Sequence, residues 1–138
     1  MRVVRRFIRD TSGANAVEFA FVLPLLIAMI VGVIEGNRLL WTRQAIESAA
    51  ANAARCMSVG SEGCDTPEGA RLYAQQRART MGITVPLSAI TVASNQACHG
   101  EADMNRVAFD IAFDSPMQKV LPMMPERLTA KACFPSLG

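Results

Sequence analysis

Residues 13 to 35 read Gly-Ala-Asn-Ala-Val-Glu-Phe-Ala-Phe-Val-Leu-Pro-Leu-Leu-Ile-Ala-Met-Ile-Val-Gly-Val-Ile-Glu, and the remainder of the chain is organised around them. From Ala14 to Ile34 there are 21 residues, of which only Glu18 is charged. A helix of that length is roughly 31 Å long, about the thickness of a bilayer's hydrocarbon core. Length and composition therefore describe a membrane span with one anomaly. An ionised carboxylate in lipid costs on the order of 2.5–3.5 kcal/mol or more. Either Glu18 sits at the headgroup boundary as a partner of the helix dipole, or it awaits a positive charge that reaches it within the membrane.

Working outward, residues 1 to 10 carry Arg2, Arg5, Arg6 and Arg9 against Asp10, a net charge of +3. Residues 36 to 138 hold ten basic and nine acidic side chains, a net +1. The overall +2 is thus a topology signal, and nucleic acid is discounted as a partner. Four arginines ahead of the span place the N-terminus in the cytoplasm by the positive-inside bias. The last hundred residues are then exported, and the bilayer itself is a partner. A cleaved secretory signal is a poorer reading, because Glu35-Gly36-Asn37-Arg38 offers no small-residue cleavage site.

All four cysteines, Cys56, Cys64, Cys98 and Cys133, lie beyond the span. An even count in an oxidising compartment reads as two disulfides. Three pairings exist; Cys56–Cys64 as a local clasp with Cys98–Cys133 as a long-range staple is favoured. Zinc is the weaker alternative, since no C-x-x-C is present and His99 is the only histidine.

The helix is expected to continue past the span to about Arg55, because residues 36–56 are rich in helix formers and lack proline. Ile46, Ala50, Ala53 and Ala54 recur on one narrow face of small residues. Pro24 removes one backbone hydrogen bond and should kink or loosen the helix. Gly32 and Gly36 form a G-x-x-x-G pair suited to close helix approach. Residues 57–67 read as a turn-rich loop. Thr66-Pro67-Glu68 then opens a second helix, which stops at Gly82. Its Ala70, Tyr73, Ala74, Arg77 and Ala78 share a face, and Arg71 and Arg79 read as solvated.

Beyond Pro86 the period falls to two. Residues 89–93 form a plausible strand, and Asn95 to Asn105 reads as a polar loop. Val107, Phe109, Ile111 and Phe113 alternate with polar or small residues in the clearest half-buried strand. Leu128, Ala130, Ala132 and Phe134 mark a third. The apolar connection 115–125, around Leu121, either packs over the sheet end or forms a partner or membrane contact. The fold class is therefore α+β. A long N-terminal helix, its first half transmembrane, packs on a small antiparallel sheet of about three strands, with a second short helix.

Gly13-Ala14-Asn15-Ala16-Val17-Glu18-Phe19, behind a basic leader and ahead of an apolar helix, resembles the processing motif of Tad/Flp-type pilins and pseudopilins. With Glu35-Gly36-Asn37-Arg38, Arg43-Gln44-Ala45 and the Leu128-Thr129-Ala130-Lys131-Ala132 ending, the pattern resembles the TadE-like pseudopilin family. The resemblance implies a pseudopilin-like fold and cleavage between Gly13 and Ala14 by a prepilin peptidase. A leader of residues 1–13 would be lost, leaving a transmembrane half at 14–35 and an exported part at 36–138. In related assemblies the carboxylate corresponding to Glu18 is thought to meet the N-terminal amine of a neighbouring subunit. Phe19 stands where major Flp pilins usually carry tyrosine, and those pilins are much shorter, so the resemblance is to a minor component.

The implied protein is a minor pseudopilin of a Tad (tight adherence) type IVc pilus, in the bacterial inner membrane with a periplasmic C-terminal domain. Its implied partners are the prepilin peptidase, other Tad pseudopilins, the Flp pilin and the inner-membrane assembly platform. The alternative is an uncleaved single-pass protein that carries a periplasmic binding domain on a TadE-like anchor. An enzyme is disfavoured: there is one histidine, no G-x-S-x-G, no H-E-x-x-H and no glycine-rich phosphate loop. Cys98 beside His99 is the only nucleophile pair on offer, and no catalytic residue, cofactor or metal is assigned.

Overall fold

The computed structural model describes residues 12–120 and 122–137. The leader arginines Arg2, Arg5, Arg6 and Arg9, and Leu121 of the apolar connection, lie outside the described residues. Helix α1 runs Ser12–Ser58 and passes through Pro24 without a break. A short turn leads to α2, Pro67–Thr80. Strands β1 (Ile90–Cys98), β2 (Glu101–Ala112) and β3 (Arg127–Pro135) follow, each antiparallel to the next, in the order β1-β2-β3. The fold is α+β. The chain divides into two compact units, one up to Asn37 and one from Arg38 to Gly138.

In the first unit the apolar side chains from Phe19 to Ile34 face outward along most of their length. Such a surface has no place in water. The helix is long and apolar enough to cross a membrane, and its most hydrophobic stretch is not covered by protein. A Cβ at Gly32 or Gly36 would meet nothing within 4 Å, so the small-residue stripe is open.

The second unit has the core. Ile46, Ala49, Ala50, Ala53 and Ala54 of α1 are fully buried with Ala74 and Ala78 of α2 and with Val107, Phe109 and Ile111 of β2. Apart from Ile46, the fully buried helix side chains in this core are alanines, and the sheet supplies most of the large ones. β2 is the central strand, and its odd-numbered residues from Asn105 to Ile111 form the buried row, as strand alternation requires.

The limits of α2 follow from local chemistry. Thr66 Oγ1 accepts from Gly69 N at 3.1 Å, and Pro67 occupies the first turn, where no backbone donor is needed. A side chain at Gly69 would run into the Gly63 carbonyl, so this position requires glycine. At the other end Gly82 is left-handed, and Ile83 N reaches back to Ala78 O at 3.0 Å while Gly82 N bonds Arg79 O. These two bonds together satisfy carbonyls the helix leaves open.

Two expectations are corrected. Asn95 to Asn105 is not a loop but the tip of a β1–β2 hairpin, turning at His99 and Gly100, both with positive φ. A pair of left-handed residues closes a tight hairpin with the proper twist, and histidine tolerates that conformation better than most side chains. The register slips twice, once on each strand, near Asn95 and Asp103, which are also left-handed. Nor is Arg71 fully solvated: Arg71 and Arg77 are half-buried, and their Nε atoms have no hydrogen-bond partner among the described residues.

Because the core's volume comes from the sheet, Phe109→Ala should lower unfolding stability by about 3–5 kcal/mol. Ala53→Leu, which adds volume to the fully buried helix face, should cost about 1–3 kcal/mol. Denaturant unfolding of the full chain in detergent checks both.

Candidate functional site

The candidate processing and assembly residues sit in the first turns of α1. Gly13 is exposed in the helix that begins at Ser12. Glu18 and Phe19 are exposed as well, Phe19 by 62%. Glu18 lies four residues after Ala14, which in a helix is about 6 Å of rise and close to one full turn. Among the described residues nothing donates to the Glu18 carboxylate or pairs with it. The arrangement is an outward-facing acid one turn from the Gly13–Ala14 bond.

The cysteines pair as Cys56–Cys64 and Cys98–Cys133, with Cα atoms 5.8 and 6.4 Å apart. The first closes the turn between α1 and α2. The second has a less obvious geometry. Cys98 pairs with Glu101 and Cys133 with Arg106, five residues apart on the strand between them. On a straight β2 those levels would differ by about 17 Å. The two bulges let the hairpin tip fold back toward β3, where the disulfide holds it. The sulfurs and a His99 ring nitrogen lie within 4.8 Å of one another. A metal needs thiolates, and both sulfurs are committed to the disulfide, so this donor set does not fit a metal. The same bond removes Cys98 as a nucleophile.

Besides the Arg43–Glu47 pair along α1, at 2.9 Å, a charged pair joins adjacent strands: Asp110–Arg127, with Nη2 2.8 Å from Oδ1 and Nε donating to the same oxygen at 2.9 Å. That hydrogen bond holds the Asp110 carboxyl below its ordinary range. Both side chains are solvent-facing, so the pair adds little stability. It lines an open groove with Thr84 and Ser88. Acid and base neutralise each other there.

Sequence reasoning missed three contacts that shape the C-terminal unit. Arg38 donates through Nη2 to Asp114 O at 2.9 Å and lies 5.1 Å from the centre of the Phe113 ring. Trp41 Nε1 donates to Met81 O at 3.0 Å, tying α1 to the end of α2. Gln118 Nε2 donates to both Phe113 O and Pro125 O, at 2.6 and 3.1 Å, drawing the β2–β3 connection together. Their partners are backbone carbonyls, 76 residues away for Arg38, 40 for Trp41 and only five and seven for Gln118, and no local pattern announces them.

Residues 13–55 match the family model described as TadE-like protein. The match begins at Gly13 and covers nearly all of α1, so this segment is TadE-like. The likeness of this segment points toward Tad pilus-associated proteins. No curated protein and no solved structure matches the chain.

Loop length sets the expected worth of each disulfide. Replacing Cys98 and Cys133 by serine opens a closure of 35 residues, and should cost about 3–4 kcal/mol. The Cys56–Cys64 closure of 8 residues should be worth about 2–3 kcal/mol. Thermal unfolding of the two double variants should give that order.

Proposed function

We propose that the chain is a minor pseudopilin of a Tad-type pilus, cut between Gly13 and Ala14 by a prepilin peptidase and acting by assembly. One observation carries the reading: the TadE-like match starts at Gly13, the residue on which the cleavage would turn. The apolar half of α1 would stay in the inner membrane, with the leader arginines on the cytoplasmic side and Arg38–Gly138 in the periplasm. Two disulfides in the C-terminal unit suit an oxidising compartment.

Cleavage would create an ammonium group at Ala14. Glu18 is outward-facing and, among the described residues, lacks a partner, so it is available to the amine of a neighbouring subunit. Pairing two charges in a low-dielectric bundle would fix the axial register between subunits. Breaking such a pair by removing one partner costs roughly 3–5 kcal/mol. Phe19, beside it, would add apolar contact to the same interface. Other Tad pseudopilins, the Flp pilin and the assembly platform are the partners this mechanism requires.

Two experiments test the reading. Intact mass of the membrane-extracted protein should correspond to a chain starting at Ala14, and Gly13→Phe should retain the leader. A wild-type mass starting at Met1 in cells that assemble pili would instead favour an uncleaved anchor carrying a binding domain. Glu18→Ala should insert and be cleaved normally yet be lost from sheared pili; undiminished incorporation would remove the carboxylate from the mechanism.

A further inference from the structure

Among its described residues, the connection between β2 and β3 leaves apolar side chains in the open while several of its polar groups bond to one another. Ser115 caps the short 3-10 turn Pro116–Lys119, and its hydroxyl also contacts the Met124 sulfur at 3.8 Å. Gln118 bridges the carbonyls of Phe113 and Pro125, and Phe113 N bonds Glu126 O at 2.8 Å across the base. These bonds tie down the described residues of the segment, yet Val120 is 68% exposed and Met123 85%. Ordering a loop in order to show water two large apolar groups is unfavourable unless something else covers them.

Its position in the C-terminal unit identifies the cover. β2 lies along α1 in the opposite direction: Asn105 Nδ2 is 3.5 Å from Ser58 Oγ at one end, and Asp114 O accepts from Arg38 at the other. Both paths between those contacts, residues 38–58 of the helix and 105–114 of the strand, are about 30 Å long. The connection that follows β2 therefore leaves from the end of the unit at which the chain enters, at Arg38. Only four residue steps separate Arg38 from Ile34, the last residue of the apolar run. Even fully extended, four steps reach no more than about 14 Å. Leu40 and Trp41, 65% and 60% exposed, lie at that same end of the unit, and tryptophan favours the membrane interface.

We propose that the β2–β3 connection is a lipid-contact platform, with Val120 and Met123 entering the boundary between headgroups and acyl chains. This rests on the first half of α1 being a membrane span. Charges near the patch are mixed, with Lys119 against Asp114 and Glu126. Apolar insertion rather than attraction to anionic lipid is therefore the mode, and zwitterionic bilayers suffice.

The test uses the full chain in phosphatidylcholine nanodiscs whose lipids are brominated in the upper acyl chain. The chain has one tryptophan, so Trp41→Phe gives a silent background. Reporters are then added singly as Met123→Trp, Val120→Trp, Val59→Trp at the far end of α1, and Phe21→Trp in the span. Emission of the Met123 and Val120 reporters should fall at least about twofold against unbrominated lipid, as for a group buried at the acyl boundary. The Val59 reporter should not change. If Phe21→Trp is quenched but the Met123 and Val120 reporters match Val59→Trp, the platform is overturned and the span stands. If Phe21→Trp is not quenched, the span reading falls and takes the platform with it.

Discussion

The C-terminal unit depends on one constraint of volume. Ala49, Ala50, Ala53 and Ala54 of α1 are fully buried, and so are Ala74 and Ala78 of α2. A face of methyl groups carries little burial energy of its own, about 0.8 kcal/mol per methylene-sized group. Its use is to leave room for the side chains opposite. Phe109, Val107 and Ile111 of β2, with Phe113 just past its end, fill that room, and β1 and β3 flank the strand. A unit of this size has limited apolar surface to bury, which is why two covalent links matter to it.

Much of this was legible beforehand because it is local. Thr66-Pro67 and Gly82 mark both ends of α2 through capping chemistry alone. The alternation from Val107 to Phe113 gives the central strand, and the alanine spacing gives the packed helix face. The hairpin tip was illegible for a physical reason. Residues 95–103 bury almost nothing apart from Cys98, so no apolar period betrays a strand. Its one local sign was His99-Gly100, a pair able to take up left-handed conformations. The Arg38–Asp114 contact left no sign at all, since it joins residues 76 apart through a backbone oxygen.

The proposed processing residues are legible in a different sense. Gly13, Ala14 and Glu18 stand out through the order of charge and apolarity along the chain, and the TadE-like match begins among them. The match ends at Arg55, so it takes in the alanine face as well as the apolar run. One helix therefore answers to two solvents. The apolar surface of its first half lies open, whereas the packed face of its second half, Ile46 apart, is alanine set against the sheet.

The folded-back hairpin has a consequence for how this chain can change. Its tip is held by a sulfur bridge to β3 rather than by interlocking side chains. Residues between Asn95 and Asp103 owe little to the interior apart from Cys98, and only the left-handed positions, Asn95, His99, Gly100 and Asp103, limit which side chains the backbone accepts. Both cross-links lie toward the Ser58 end of α1, away from Arg38. The chain thus pairs a covalently fixed frame at that extremity with an exterior that contributes little to the core.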